Sequence, residues 1–260
     1  MRTRIAAPTP TRRDHVAALA KGLEVIACFE SADPALSLSE VAKKTGLTRA
    51  AARRHLLTLT ELGYAASDGK RFRLTPKVLR LGHAYFSTTP LPRLAQPILE
   101  AIGEQVDQVA SLAVLEGADV VFLARSAPRR IMSGVVAVGV RVSAASAGTG
   151  RILLAQKPDE ILRDLLKKIG PVTKLSPMTK TSPAEIMKEI QLARRQGYSI
   201  NDQEIEIGLR SISVPVKNSA GAAIAAISVS VPPWTMTPEK MVAELLPILR
   251  RGADALRAML

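Results

Sequence analysis

Between residues 37 and 63 the chain carries a punctuation that few folds can accommodate. Ser37-Leu38-Ser39-Glu40 is a capping box: the Ser37 hydroxyl satisfies an orphan N–H at a helix start while Glu40 reaches back to the N-cap. The helix it opens, Leu38–Thr45, stops at Gly46, which can take the left-handed conformation. Thr48 then caps a second helix that runs to Leu62 and stops at Gly63. Two short helices joined by a tight glycine-containing turn are a helix-turn-helix, here at about 37–57. Ahead of it, Val16, Leu19, Leu23 and Ile26 recur at helical spacing and predict a first helix over about 15–31.

The second helix divides its surface as DNA reading requires. At 100° per residue, Ala52, His55, Leu56, Leu59 and Leu62 gather on an inner side. Ala50, Arg53, Arg54 and Leu57 fall opposite, with Thr48 and Arg49 at the N-terminal margin. Arginine can fork to guanine O6 and N7, and the small Ala50 allows close approach or touches a thymine methyl. A charged helix face is ordinarily a solvated one. Three arginines within six positions directly after a helix-turn favour the DNA reading.

After Gly63, Asp68-Gly69 sits between two short alternating segments, a hairpin signal. Phe72 and Leu74 face inward and leave Lys70, Arg71 and Arg73 on the ribbon, a wing suited to phosphate or minor-groove contact. Thr75-Pro76 restarts a helix through Ser87, and Thr88-Thr89-Pro90-Leu91-Pro92 marks its end and a domain boundary. The organisation read here is a disordered basic arm at 1–13, a winged helix-turn-helix at 14–75, a linker helix at 76–90 and a second domain at 91–260.

Composition narrows the partner. The net charge of +13 is uneven: Thr48–Arg80 alone carries eight Lys/Arg against two acids. An anionic partner follows, nucleic acid before an anionic membrane. Eight aromatic residues in 260 are too few for the stacking platforms that single strands and RNA modules use, so double-stranded DNA is the expected partner. One cysteine, Cys28, cannot form an internal disulfide, which suits a reducing cytoplasm. His15, His55 and His83 lack ligand spacing, so no metal is expected. Apolar stretches such as Ala220–Val231 are too short and broken to cross a membrane.

The second half reads as mixed α+β. Strand candidates lie at Ala110–Leu115, Val120–Ala124, Ile131–Val138, Ile212–Val216 and Ala223–Val231. Helical patterns lie at Arg93–Gln108, Arg151–Gln156, Pro158–Lys168, Pro183–Gln196 and Pro238–Leu260. Short turns such as Glu116–Asp119 favour hairpins, hence an antiparallel sheet flanked by helices. No nucleophile elbow, Walker loop, zinc-protease motif or Cys/His pair is present, and no cofactor is implied. Asp202, Glu204 and Glu206 alternate and are expected on an exposed or interface face. Gly148-Thr149-Gly150 before the apolar run Arg151–Ala155 is either a turn that needs glycine or a set of free N–H groups suited to a small carboxylate.

Residues 15–83 resemble the winged helix-turn-helix of the IclR family of bacterial transcription regulators. The resemblance rests on Leu38-Ser39-Glu40-Val41-Ala42, Thr45–Arg54, Leu62-Gly63-Tyr64 and Phe72–Pro76 with Leu81-Gly82. It continues through Arg195–Ser199, Asp202–Ser211 and Ala225–Ser230. The arginine-rich helix and Tyr85–Pro97 are most similar to the PcaR/PcaU/PobR-type branch, which regulates aromatic catabolism through the β-ketoadipate pathway. The resemblance implies a GAF/PAS-like effector domain and a homodimer or homotetramer. It also implies a small carboxylic-acid effector held at Gly148, Thr149, Asn201, Ser211, Ser228 and Ser230. The glyoxylate/pyruvate regulators resembled at these positions carry an acid in place of Asn201 and a cysteine in place of Ser211, so the chemistry there differs.

The reading is a cytoplasmic, sequence-specific DNA-binding regulator without catalytic activity, meeting RNA polymerase if it is an activator. Arg49, Ala50, Arg53 and Arg54 read the groove, and Lys70, Arg71 and Arg73 hold the backbone. The alternative is an enzyme or small-molecule-binding domain fused to a DNA-targeting module.

Overall fold

The computed structural model describes residues 15–29, 34–126 and 137–260. The expected arm at 1–13 and most of the expected strand Ile131–Val138 lie outside them. The chain divides into two compact units between Thr88 and Thr89.

The first unit contains α1 (Ala17–Ala27), β1 (Leu36–Ser37), α2 (Leu38–Thr45), α3 (Arg49–Glu61), β2 (Ala65–Ser67) and β3 (Arg71–Leu74). A 3-10 turn at Pro76–Val78 then leads into α4 (Leu79–Thr88). The capping box is complete: Ser37 N–H donates to Glu40 Oε2 at 2.7 Å and Glu40 N–H donates to Ser37 Oγ at 3.3 Å. Gly46 closes α2 at φ 65°, where a β-carbon would be strained. The core joins Val25, Leu36, Val41, Leu56, Leu59 and Ala65. Of the residues expected inside on α3, Ala52, Leu56 and Leu59 are buried and His55 is half-buried. Leu62 is 52% exposed, because it is the C-cap residue and lies beyond the covered turn. The wing is a three-stranded sheet of order β1-β3-β2 with Ala65 opposite Leu74. The two-residue strand β1, not foreseen from sequence, ties the wing to the start of α2.

Ser37→Ala should therefore reduce stability by about 1 kcal/mol, and Ser37→Gly by only a few tenths. Hydrogen-exchange protection of the α2 amides reads the difference.

The second unit contains α5 (Pro90–Val106), β4 (Val109–Glu116), β5 (Asp119–Ser126), β6 (Arg141–Ser143), α6 (Gly148–Leu154), α7 (Asp159–Ile169) and α8 (Pro183–Gln196). It ends with β7 (Ser199–Asp202), β8 (Arg210–Lys217), β9 (Ala223–Val231) and α9 (Pro238–Ala258). The six strands form one antiparallel sheet of order β6-β5-β4-β9-β8-β7. Period-two alternation sends Ile212, Val214, Val216, Ile227 and Val229 to the face covered by α5 and α9. The other face carries Ala113, Phe122 and Ala226 and packs on α6 and α8. The proline-rich run after Thr88 is not an open linker: Pro90 occupies the first turn of α5, where its missing N–H costs nothing, and Leu91 and Pro92 are buried.

Candidate functional site

The N-terminal unit presents its cations outward. Thr48 Oγ1 accepts from Ala51 N–H at 3.2 Å and so caps α3. Arg49, Ala50, Arg53 and Arg54 follow on its exposed side, and none of these arginines forms an ion pair among the described residues. Lys70 and Arg73 are exposed on the wing. Asp68 at the tip accepts the N–H groups of Lys70 and Arg71 at 2.8 and 2.7 Å, and these bonds hold its carboxyl below the usual range. Arg71 differs from the other two wing cations, because it leans on Glu40 at 3.5 Å, with both side chains about half exposed. A phosphate reaching Arg71 would have to compete with that carboxylate.

The wing and the reading helix share an anchor. Thr75 Oγ1 donates to the Gly63 carbonyl at 2.6 Å, and Lys77 Nζ donates to the Leu62 carbonyl at 2.6 Å. The same ammonium lies 5.1 Å from the centre of the Tyr64 ring. The first turn after the wing is thereby fixed to the C-terminal end of α3. Beyond it α4 buries no side chain, and Leu79, Leu81, Tyr85 and Phe86 stand 40–70% exposed.

In the second unit, strand register assembles a buried polar face. Ser111, Ser228, Ser213 and Ser199 form one row across β4, β9, β8 and β7. The adjacent row is Val109, Ser230, Ser211 and Asn201. Helix α6 closes over them: a β-carbon on Gly148 would lie 3.2 Å from Ser213 Oγ, 3.4 Å from Asn201 Cβ and 3.6 Å from Ser211 Oγ. Gly148, Asn201 and Ser211 are thus brought to one place, with Thr149 next to Gly148 in the chain, Ser230 beside Ser211 and Ser228 beside Ser213. The hydroxyls of Ser111, Ser146, Thr149 and Ser213 are buried without a hydrogen-bond partner. Such orphans cost free energy unless something else satisfies them, so they mark a place where a polar ligand gains. Asn201 is already engaged, its amide donating to the Ser146 carbonyl at 2.6 Å.

Ser111, Ser213 and Ser146 were not among the residues expected from sequence. The available signal was period-two hydroxyls, Ser211-Ile212-Ser213 and Ser228-Val229-Ser230, inside strands covered on both faces. The row also continues onto β5, where Arg125 pairs with Ser111. Its Nε and Nη2 are buried with no partner, and desolvation pulls its pKa below the ordinary arginine value.

One expectation is corrected. Glu204 is not on an exposed face but 2% exposed, in the loop after β7. Arg151, completely buried in α6, holds it with Nη1–Oε1 at 2.6 Å and Nη2–Oε2 at 2.8 Å, and donates Nε–H to the Ala145 carbonyl at 2.7 Å. Lys180 adds its backbone N–H at 3.0 Å and its ammonium at 3.1 Å. Burial pushes the Glu204 pKa up, but the Arg151 hydrogen bonds and charge, with Lys180, overcome this and hold it below the ordinary value. This pair clamps α6 over the serine face. Asp202 forms a separate, more exposed pair with Arg210.

Comparison with known proteins decides what these two units are. Residues 18–69 match the IclR helix-turn-helix domain, and residues 83–258 match the C-terminal domain of bacterial IclR transcriptional regulators. The chain belongs to the IclR family. It is 42% identical over 237 residues to the Pca regulon regulatory protein of Pseudomonas putida, covering 91% of this chain and 81% of that one. A putative transcriptional regulator from Rhodococcus sp. RHA1 superposes with a TM-score of 0.78 at 40% identity, covering 94% and 98% of the two chains. An IclR homologue from Microbacterium hydrocarbonoxydans, solved with 4-hydroxybenzoate, has a TM-score of 0.74 at 25% identity over 93% and 98%. The protein is a DNA-binding transcription regulator of this family, and the family is one of regulators, not of enzymes. Among the described residues no helix is long and apolar enough to cross a membrane.

Proposed function

We propose that this IclR-family regulator reads a specific operator with Arg49, Ala50, Arg53 and Arg54 and responds to a small hydroxylated aromatic acid bound on the serine face. The observation that carries the ligand reading is the set of buried, unpartnered hydroxyls, Ser111 and Ser213 on the sheet and Ser146 and Thr149 at the start of α6. Gly148, Asn201, Ser211, Ser228 and Ser230 complete its walls. The 4-hydroxybenzoate held by the Microbacterium homologue supports an aromatic acid here.

Thr48 sets the start of the reading helix, while Lys70, Arg71 and Arg73 contact phosphates. The α4 helix carries effector state toward the DNA, since it begins at the Thr75 and Lys77 anchor and only Thr89 separates it from α5. Its exposed apolar residues Leu79, Leu81 and Tyr85 provide the surface on which two copies pair. A single reading helix spans only a few base pairs, so a homodimer or homotetramer on a repeated site supplies the specificity. The setting is the cytoplasm, and an activating mode would add RNA polymerase as a partner.

Arg53→Ala should weaken binding to the operator by about 1–3 kcal/mol and relax the preference at one base pair. Arg73→Ala should weaken all sequences alike and lower the slope of log affinity against log salt by about one. Fluorescence anisotropy over a salt series measures both. Parental operator affinity in Arg53→Ala would remove α3 from the reading role.

A further inference from the structure

The serine face has a charged end that the hydroxyls do not explain. Arg125 stands on β5 directly opposite Ser111, so both side chains leave the same face of the sheet. It extends the row that continues through Ser228 to Ser213. The neighbouring residue, Ser126, takes the other face, where its Oγ would lie 3.1 Å from a β-carbon on Gly103 of α5.

The half-buried Arg125 differs from Arg151, which is fully buried. Arg151 has its guanidinium fully committed to Glu204 and Ala145. Arg125 has Nε and Nη2 buried with no acceptor. Those two nitrogens form one edge of the guanidinium, with parallel N–H bonds spaced to take both oxygens of a carboxylate. A buried guanidinium edge without an acceptor is costly in the free protein, and that cost is relieved when an anion arrives.

The row also fixes an orientation. Arg125 and Ser213 are three strand spacings apart, roughly 14 Å between Cα atoms. The distal end holds the unpartnered hydroxyl of Ser213 against Gly148, and the next residue in α6, Thr149, also has a buried, unpartnered hydroxyl. We infer that Arg125 is the carboxylate-recognising residue of the effector pocket, taking the acid on its Nε/Nη2 edge while the ring's hydroxyl substituent points toward Ser213 and Thr149. This rests on the serine face being the effector site and deepens that reading. It places the carboxylate away from the Gly148-Thr149-Gly150 start of α6.

The test is calorimetric titration of the full chain and of Arg125→Gln with 4-hydroxybenzoate, 3,4-dihydroxybenzoate and 4-hydroxybenzamide. The parent chain should bind at least one acid more tightly than the amide, which lacks the charge. Arg125→Gln should lose at least about tenfold in affinity for that acid and change by less than about twofold toward the amide. Arg125→Lys, which keeps the charge but not the fork, should fall between. Melting without ligand separates recognition from structure: removing a guanidinium whose buried edge has no acceptor should leave the midpoint of Arg125→Gln equal to or above the parent's, whereas a structural arginine would lower it. Parental affinity of Arg125→Gln for the acid, or a lowered midpoint without ligand, overturns the assignment of Arg125 alone. Failure of the parent chain to bind either acid overturns the effector class and this inference with it.

Discussion

Glu204→Gln is expected to lower the stability of the C-terminal unit by about 3–5 kcal/mol, because it leaves the completely buried Arg151 without its counter-charge. The large value comes from the stranded charge and not from the worth of the pair. Replacing both partners with apolar residues, Arg151→Met with Glu204→Leu, should therefore recover much of the loss. Urea titration followed by far-UV circular dichroism measures the series. The same carboxylate sets an acid limit. Its pKa in the folded state lies below its ordinary value of 4.5, so its contribution is fully present above that value. The contribution disappears as pH falls through the folded pKa. A loss under about 1 kcal/mol in Glu204→Gln would show that the pair does not clamp α6.

Gly150→Ala should unfold or severely destabilise the same unit. A β-carbon there would meet the Ala144 carbonyl oxygen at 2.2 Å, its Cα at 2.4 Å and its carbonyl carbon at 2.6 Å, all backbone atoms that no rotamer change can move aside. Overpacking costs of about 1–3 kcal/mol apply where side chains yield, so the expected loss lies above that range. Gly82→Ala is the matched control. Gly82 lies inside α4 with nothing within 4 Å of its would-be β-carbon, and the substitution should stabilise by up to about 1 kcal/mol through helix propensity. Thermal melts of both variants decide the matter, and a folded Gly150→Ala with a parental midpoint would contradict the packing of α6 against Ala144.

The helix-turn-helix could be read from sequence because its determinants are local. Ser37 and Glu40 are three residues apart, Gly46 and Thr48 follow at once, and the reading face of α3 needs only a 100° wheel. The second unit was legible as strands and helices, but its site was not, because the partners are distant in sequence. Arg151 and Glu204 are 53 positions apart, and an alternating acidic segment reads as a solvated face until α6 is seen to cover it. Ser111 joins Ser228 only through the β4-β9 pairing, and no local pattern predicts that register. The short β7 escaped notice because Ser199–Asp202 offers a single apolar residue, Ile200, and owes its pairing to β8. The run Thr88–Pro92 was legible as the end of α4 and the boundary between the units, but not as the first turn of α5, because prolines at a helix start look the same in sequence as prolines at a linker.

The central claim is that one chain couples sequence-specific DNA binding to a small aromatic acid. It is tested most directly by selecting duplexes from a random pool with the full-length protein. Affinity for the selected and the unselected DNA is then measured at one salt concentration, with and without 4-hydroxybenzoate and 3,4-dihydroxybenzoate. The account predicts a preference for selected DNA of at least about 10³, together with a change in operator affinity or oligomer distribution produced by at least one of the acids. Equal affinity for all duplexes, unmoved by either acid, would contradict it.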